Sequence, residues 1–332
     1  MKTENEFKDF FNSQFQSYAA DAIKQRSKYV RKIFLNYFYA ILSILVLISF
    51  SIALSIKNFN WENLSIVYKV LAVLVFIAGV SLIAIFFMKT RKLKNEFSNY
   101  YKNKIVMNIV KFIDKNLEYN PNEGINAQEF SSVDLFNKPF NRYFSDDLIE
   151  GTLDKTHIKF CEIHAWYEQE NNDKKDIDKV FDGLLIKVDF NKNFKGKTYV
   201  LPDKNDKTYT YFFGLGEKKN THWGELIKLE DIEFEKEFAV FADDQIEARF
   251  ILSTSLMRRL IDYKRKVDKK IRLAFINSWI YLAIPFKERL FEPNLFGRLV
   301  TYDVVVQYYH IIQLSLSIVD ELNLNTRIWG KE

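Results

Sequence analysis

Asp243-Asp244-Gln245-Ile246-Glu247-Ala248-Arg249 is the densest run of chemically capable side chains in this 332-residue chain. Adjacent carboxylates at Asp243 and Asp244, with Glu247 close behind, could hold a divalent cation or divide acid and base roles. The same residues also suit a helix start. Asp243 or Asp244 would then cap the first turn, the acids would complement the helix dipole, and Arg249 would pair with a carboxylate. Capping explains the acids without a ligand and is the favoured reading. His157, Cys161 and His164 have a metal-ligand spacing if they lie on a helix. Ile158 and Phe160 alternate with polar neighbours, however, which favours a strand. His164 would then point away from the side shared by His157 and Cys161. A fourth ligand is not evident nearby, so neither a metal nor a cofactor is expected.

The other candidates are weaker. Gly214-Leu215-Gly216 lacks the third glycine, or the GK[ST] ending, that a phosphate loop requires, and it reads as a surface turn. His222 and His310 are isolated, and no Ser–His–Asp order or nucleophile elbow stands out. Arg258, Arg259, Lys264, Arg265, Lys266, Lys269, Lys270 and Arg272 form a basic stretch opposed only by Asp262 and Asp268. A solvated helix face is the default for such a run. Beneath a cytoplasmic leaflet, Arg258, Arg259, Lys264, Arg265 and Lys266 are candidate contacts to anionic lipid, at about 1 kcal/mol per basic group. No stacking platform or recognised motif accompanies the charge, so no nucleic acid is expected as a partner.

These side chains must be positioned by elements that the hydropathy pattern outlines. Ile33–Ile56 runs 24 residues and Val70–Met88 runs 19 without a charge. A hydrocarbon core about 30 Å thick takes roughly 20 apolar residues of helix, so both are candidate spans. Lys24, Arg26, Lys28, Arg31 and Lys32 precede the first, and Lys89, Arg91, Lys92 and Lys94 follow the second. The connection carries only Lys57 and Lys69. That asymmetry places both termini in the cytoplasm, and aromatics such as Tyr37, Phe59, Trp61, Tyr68, Phe86 and Phe87 suit the interfaces. The spans hold no ionisable group that would mark an ion or proton path, so the hairpin reads as an anchor. One Cys in the whole chain excludes an internal disulfide framework, and a net charge of +5 argues for no particular partner.

Around the anchor, residues 1–32 carry Phe7, Phe11, Phe15, Tyr18, Ala19 and Ala22 at helical spacing. Residues 89–119 continue a similar stripe through Phe97, Tyr101, Ile105, Ile109, Phe112 and Leu117, ending before Asn120-Pro121. Pairing between these two stripes is favoured over oligomerisation. Within 120–332, a short helix is expected near Gln128–Phe136. The period then shortens to that of strands at Leu148–Leu153, His157–Ala165, Val180–Asp189 and Lys197–Leu201. Tyr209–Phe213, Glu225–Leu229 and Phe238–Ala242 are weaker strands. A helix capped by Ser253 or Thr254 follows, then a hairpin of Ile271–Ile276 and Trp279–Phe286, and a last helix from Val300 to Leu322. Strands grouped before helix, hairpin and helix indicate an α+β fold with a largely antiparallel sheet. The expected organisation is therefore a cytoplasmic amphipathic helix (1–32), a transmembrane hairpin (33–88), a juxtamembrane helix (89–119) and a cytoplasmic α+β domain (120–332).

From Phe181 onward, several blocks occur in an order that resembles a family of bacterial membrane proteins, the domain-of-unknown-function family thirty-one thirty-seven. They are Phe181-Asp182-Gly183-Leu184, Asp189-Phe190-Asn191-Lys192-Asn193-Phe194, Phe241 through Leu252, Leu290-Phe291-Glu292-Pro293, and Leu322 through Trp329. The two-span hairpin also looks like that family. The resemblance implies a bacterial inner-membrane protein with a cytoplasmic domain, and it implies no activity. The expected role is a membrane-anchored, non-enzymatic binding or scaffold module whose partners are the lipid bilayer and a protein at the cytoplasmic face. The alternative is a membrane-tethered enzyme acting on a phosphate or lipid-derived substrate through Asp243, Asp244 and Glu247.

Overall fold

Phe7, Phe11, Phe15, Ala19 and Ala22 are all buried, so the apolar stripe of the N-terminal segment is covered over its whole length. A computed structural model describes residues 2–55, 65–171, 174–202 and 222–324. Phe59 and Trp61, the Tyr209–Phe213 strand, the turn at Gly214 and Gly216, and the closing block from Asn325 lie outside the described residues. The chain divides into two compact units, one comprising Asn5–Ile105 with Pro293–Val304, the other Met1–Glu4, Val106–Glu292 and Val305–Glu332.

The first unit is built on long helices. α1 (Glu4–Phe10) and α2 (Gln16–Ser55) are joined by a π-helical turn at Phe11–Phe15, and α3 (Ile66–Tyr101) returns. Both are long and apolar enough to cross a membrane, with mean hydropathy of 2.2 and 3.0 over their most apolar windows. Phe34, Phe38 and Leu45 on α2, and Val70, Leu74 and Ile77 on α3, are exposed. A continuous apolar surface of that kind is foreign to a water-facing helix pair. At the charged end of the pair α2 and α3 touch through residues that, Phe97 apart, lie beside the two stripes. Tyr29 lies 5.5 Å from Phe97, ring to ring, and Tyr100 donates to Asp21 at 2.5 Å. Pro293–Val304 joins this unit because its carbonyls accept from it: Gly297 from Arg26 at 2.9 Å and Leu299 from Tyr101 at 3.1 Å.

The second unit opens with α4 (Met107–Ile113), which stops short of the expected break at Asn120-Pro121. Asp114 turns extended, and its carboxylate accepts from the Asn116 amide at 2.8 Å. Buried Leu117 leads instead into β1 (Glu118–Asn120), which pairs with the next strand. α5 (Ala127–Val133) follows, capped by Asn126. Then come β2 (Arg142–Leu153), β3 (Thr156–Asn171), β4 (Lys174–Asp189), β5 (Thr198–Pro202) and β6 (Glu225–Ile227). α6 (Ile232–Glu237) is a helix that the sequence pattern did not announce. It is followed by β7 (Phe238–Ala242), α7 (Gln245–Ile251) and α8 (Thr254–Val267). The hairpin β8 (Arg272–Ile276) and β9 (Trp279–Pro285) and the helix α9 (Tyr302–Glu321) complete the unit.

The fold is α+β, and the sheet has nine strands in the order β1-β2-β3-β4-β9-β8-β5-β7-β6, every neighbour antiparallel. The β8–β9 turn works without glycine because Asn277 takes a φ of 57°, which a short amide side chain tolerates. On one face, Phe130 and Val133 of α5 pack with Cys161, Ile163, Leu185, Tyr199, Phe241 and Ala274. The larger aliphatic and phenyl side chains among them contribute roughly 2 kcal/mol each by removal from water. Gly183 lies against the β9 backbone at Ile284 and Pro285. Its φ is +153°, and a Cβ there would collide with the Ile284 carbonyl oxygen, so only glycine permits this strand contact.

Candidate functional site

The acidic run is a clamp on its own neighbour loop. Asp244 caps α7, accepting from the amides of Ile246 at 2.8 Å and Glu247 at 3.1 Å. One turn on, the Glu247 carboxylate accepts from the amides of Lys195 at 3.0 Å and Gly196 at 2.8 Å, and Asp243 accepts from Lys197 at 3.0 Å. Three consecutive backbone N–H groups are a donor set of the kind that can bind an anion. Here the protein's own carboxylates occupy it. Arg249, expected to pair with a carboxylate, is exposed and instead lines a groove between α6 and α8.

The basic helix is likewise engaged within the unit. Arg258 pairs with Asp231 at 2.9 Å and with Glu233, and Arg265 also pairs with Glu233. Lys264 meets Glu237, Lys266 meets Glu321 at 2.8 Å, and Arg259 donates to the Glu321 carbonyl at 3.1 Å. Hydrogen bonds from Arg265 and Arg258 hold the Glu233 carboxyl below its ordinary value. The acids come mainly from α6, whose Asp231 cap accepts from Glu233 and Phe234. The expected lipid contacts are thus largely matched by carboxylates, and their field at a distance is correspondingly weakened.

An excess of positive over negative side chains gathers elsewhere, at one end of the adjacent strands β4, β9, β8 and β5. A cleft of about 670 Å³ there is lined by Lys179, Lys269, Lys270, Arg272 and Lys287, with Asp182 the one carboxylate among its described lining residues. That volume falls in the range of small-ligand sites. Phe136, Phe181 and Pro285 supply apolar wall. Aromatic rings hold two of the cations in place: the Arg272 guanidinium lies 5.3 Å from the Phe136 ring centre, and Lys269 Nζ lies 4.7 Å from that of Phe286. Arg272 also donates to the Leu135 carbonyl at 3.2 Å, while Lys179 is bonded to Asp182. Lys270 and Lys287 are exposed and make no ion pair among the described residues. The arrangement can hold an anionic group carried beside apolar atoms. Lys269, Lys270 and Arg272 belong to the basic run read from sequence, but Lys179 and Lys287 join them only through strand register.

His157, Cys161 and His164 separate as strand alternation requires. Cys161 is in the core, where burial pushes its thiol up to about 12. His157 sits edge-on to Trp279, while His164 lies on the opposite face with Glu162 and Asp182. Glu162 beside it raises the imidazole's pKa, against burial and with help from Asp182. His222 pairs with Asp134 at 2.5 Å and His310 with Glu4 at 3.3 Å.

Residues 179–324 match the family described as "Protein of unknown function (DUF3137)", so the resemblance read from the sequence blocks holds over that stretch. It takes in all five cations of the cleft and the whole Asp243–Arg249 clamp. No curated protein matches the chain. Among solved structures, the crystal structure of the mycobacterial trehalose monomycolate transport factor A is similar at 10% identity over 66% of this chain and 95% of that one, with a TM-score of 0.31. A likeness at that level bears on neither fold nor function.

Proposed function

We propose that this chain is a bacterial inner-membrane protein, held by a two-span hairpin with both termini cytoplasmic. Its α+β domain is a non-enzymatic binding module for an anionic group presented by a protein partner at the cytoplasmic face. The observation that carries this reading is the cleft, with five cations against one carboxylate and an apolar wall. Cations gathered round a cleft with an apolar wall recognise a carboxylate or phosphate better than a solvated helix face does, because water competes less there. The anchor is supported by the uncharged stretches and by the basic residues flanking them on one side. The reading as an enzyme acting through Asp243, Asp244 and Glu247 is weaker, since those carboxylates already accept hydrogen bonds from backbone amides.

Pull-down of the full chain from solubilised membranes tests this, comparing it with the Lys269→Glu, Lys270→Glu, Lys287→Glu triple variant. The parent chain should retain a partner that the variant loses while remaining folded. Identical partners for both proteins, or no partner for either, would contradict the cleft as the binding site.

A further inference from the structure

Two cross-strand pairs on the face of the sheet away from Cys161 bring ligand-type side chains together. Asp146 of β2 stands opposite Glu162 of β3, and two residues along, His164 of β3 stands opposite Asp182 of β4. Asp146 is 6% exposed and Glu162 2%. One oxygen from each of these two carboxylates and a ring nitrogen of His164 all lie within 4.8 Å of one another.

The imidazole is the informative member. Its Nδ1 is hydrogen-bonded to Asp182 Oδ1 at 2.9 Å. A neutral ring has one N–H, so donation there leaves the Nε2 lone pair facing inward. Nε2 lies 2.9 Å from Glu162 Oε1, is fully enclosed, and is not aligned to donate a hydrogen bond. Two lone pairs so placed repel unless a second proton or a metal ion lies between them, and Nε2 is not aligned to donate such a proton to Glu162. Ligands on neighbouring positions of an ion, each about 2.1 Å from it, sit about 3 Å apart, and opposed ones about 4.2 Å apart. At up to 4.8 Å the set is slightly wider than that limit, so closing on one ion takes a rotation of a carboxylate. The other oxygen of Glu162 is fixed by the Leu290 amide at 3.0 Å, which keeps Oε1 turned towards the ring. Asp182 is in turn bonded to Lys179.

We propose that Asp146, Glu162 and His164 bind a divalent transition-metal ion, with Asp182 as the outer carboxylate that orients the imidazole. One imidazole nitrogen with two carboxylate oxygens suits Zn²⁺ or Mn²⁺ better than Ca²⁺ or Mg²⁺, which favour oxygen throughout. The carboxylate–histidine–metal order is a recurrent second-shell arrangement. It also gives the short β2 bulge between Asp146 and Ile149 a purpose, since such irregularities re-aim side chains beside functional sites.

The test uses the full chain in detergent, stripped with chelator and titrated with Zn²⁺ or Mn²⁺. One equivalent should bind. Glu162→Gln should abolish binding, and Asp182→Asn should weaken it by about 10–100-fold. Because Glu162→Gln could disturb folding, Co²⁺ uptake by the unaltered chain gives a second readout. It should produce weak visible bands with no thiolate charge-transfer band, since Cys161 lies across the sheet. The proposal is overturned if no stoichiometric uptake occurs, if Glu162→Gln binds as well as the parent, or if nitrogen NMR finds both His164 ring nitrogens still protonated in excess Zn²⁺.

Discussion

Replacing Glu247 with Ala removes the acceptor for two consecutive amides, those of Lys195 and Gly196. A hydrogen bond to a charged group contributes about 1.5–3 kcal/mol, less where water can replace the partner. The Lys195 segment is exposed and Gly196 half-buried, so the Lys195 amide recovers much of its loss from solvent and the Gly196 amide little. The sum comes to about 2 kcal/mol for Glu247→Ala. Glu247→Gln keeps one acceptor oxygen but no charge, and should cost about 1 kcal/mol. In hydrogen exchange followed by mass spectrometry, 2 kcal/mol corresponds to roughly 30-fold faster local opening, and 1 kcal/mol to roughly 5-fold. Peptides covering residues 190–198 should show those increases while peptides from β2 and β3 do not. Exchange at Lys195–Lys197 unchanged in Glu247→Ala would refute the clamp and return the carboxylates to the pool of ligand-binding candidates.

Three further outcomes follow from named contacts. Burial raises the Glu129 pKa but is outweighed by Lys187 at 2.7 Å and Lys159 at 3.4 Å, so the folded carboxyl lies below its unfolded value of 4.5. Its contribution is complete above that value and is lost as pH falls through the folded one. Glu129→Gln should therefore cost about 2 kcal/mol at neutral pH, discounted for partial exposure, and flatten the acid limb of a denaturation series. A variant whose acid limb matches the parent's would contradict it. Cys161, with its thiol pushed up to about 12 and no exposed surface, should resist maleimide in the folded chain and react on unfolding. Modification at the parent's native pH would place it outside the core. Gly183→Ala forces a Cβ against the Ile284 carbonyl in a left-handed conformation, and should cost about 3 kcal/mol by thermal or chemical melting. A melting curve within error of the parent's would contradict the close approach.

What the sequence made legible depended on how local the signal was. The two uncharged stretches and the phenylalanine stripe of residues 1–32 are periodic within themselves, and they form the helices expected of them. β7 and the β8–β9 hairpin were also readable, because short apolar runs ended at clear breaks. β3 and β4 run longer than their apolar segments suggest: their outer ends, Gln169–Asn171 against Lys174–Asp176, are polar and held by strand pairing. α6 escaped notice because six residues carry too little periodicity, yet Glu233 and Glu237 on it, with its cap Asp231, decide the fate of the basic helix. Asp244 as a cap was foreseeable from its position before an apolar run. Glu247 and Asp243 reaching back to Lys195–Lys197 was not, since the contact spans two strands. The cationic cleft and the Asp146, Glu162 and His164 set share that difficulty. Glu162-Ile163-His164 alternates as a strand does, but only register brings Asp146 and Asp182 beside it.

An impermeant maleimide applied to spheroplasts tests where the anchored domain faces. The buried Cys161 stays silent, so single cysteines introduced by Ser65→Cys at the span connection and Asn277→Cys at the exposed β8–β9 turn report separately. Ser65→Cys should label in intact spheroplasts, and Asn277→Cys only after the membrane is permeabilised. Labelling of Asn277→Cys before permeabilisation would put the cleft outside the cytoplasm and contradict the proposed role.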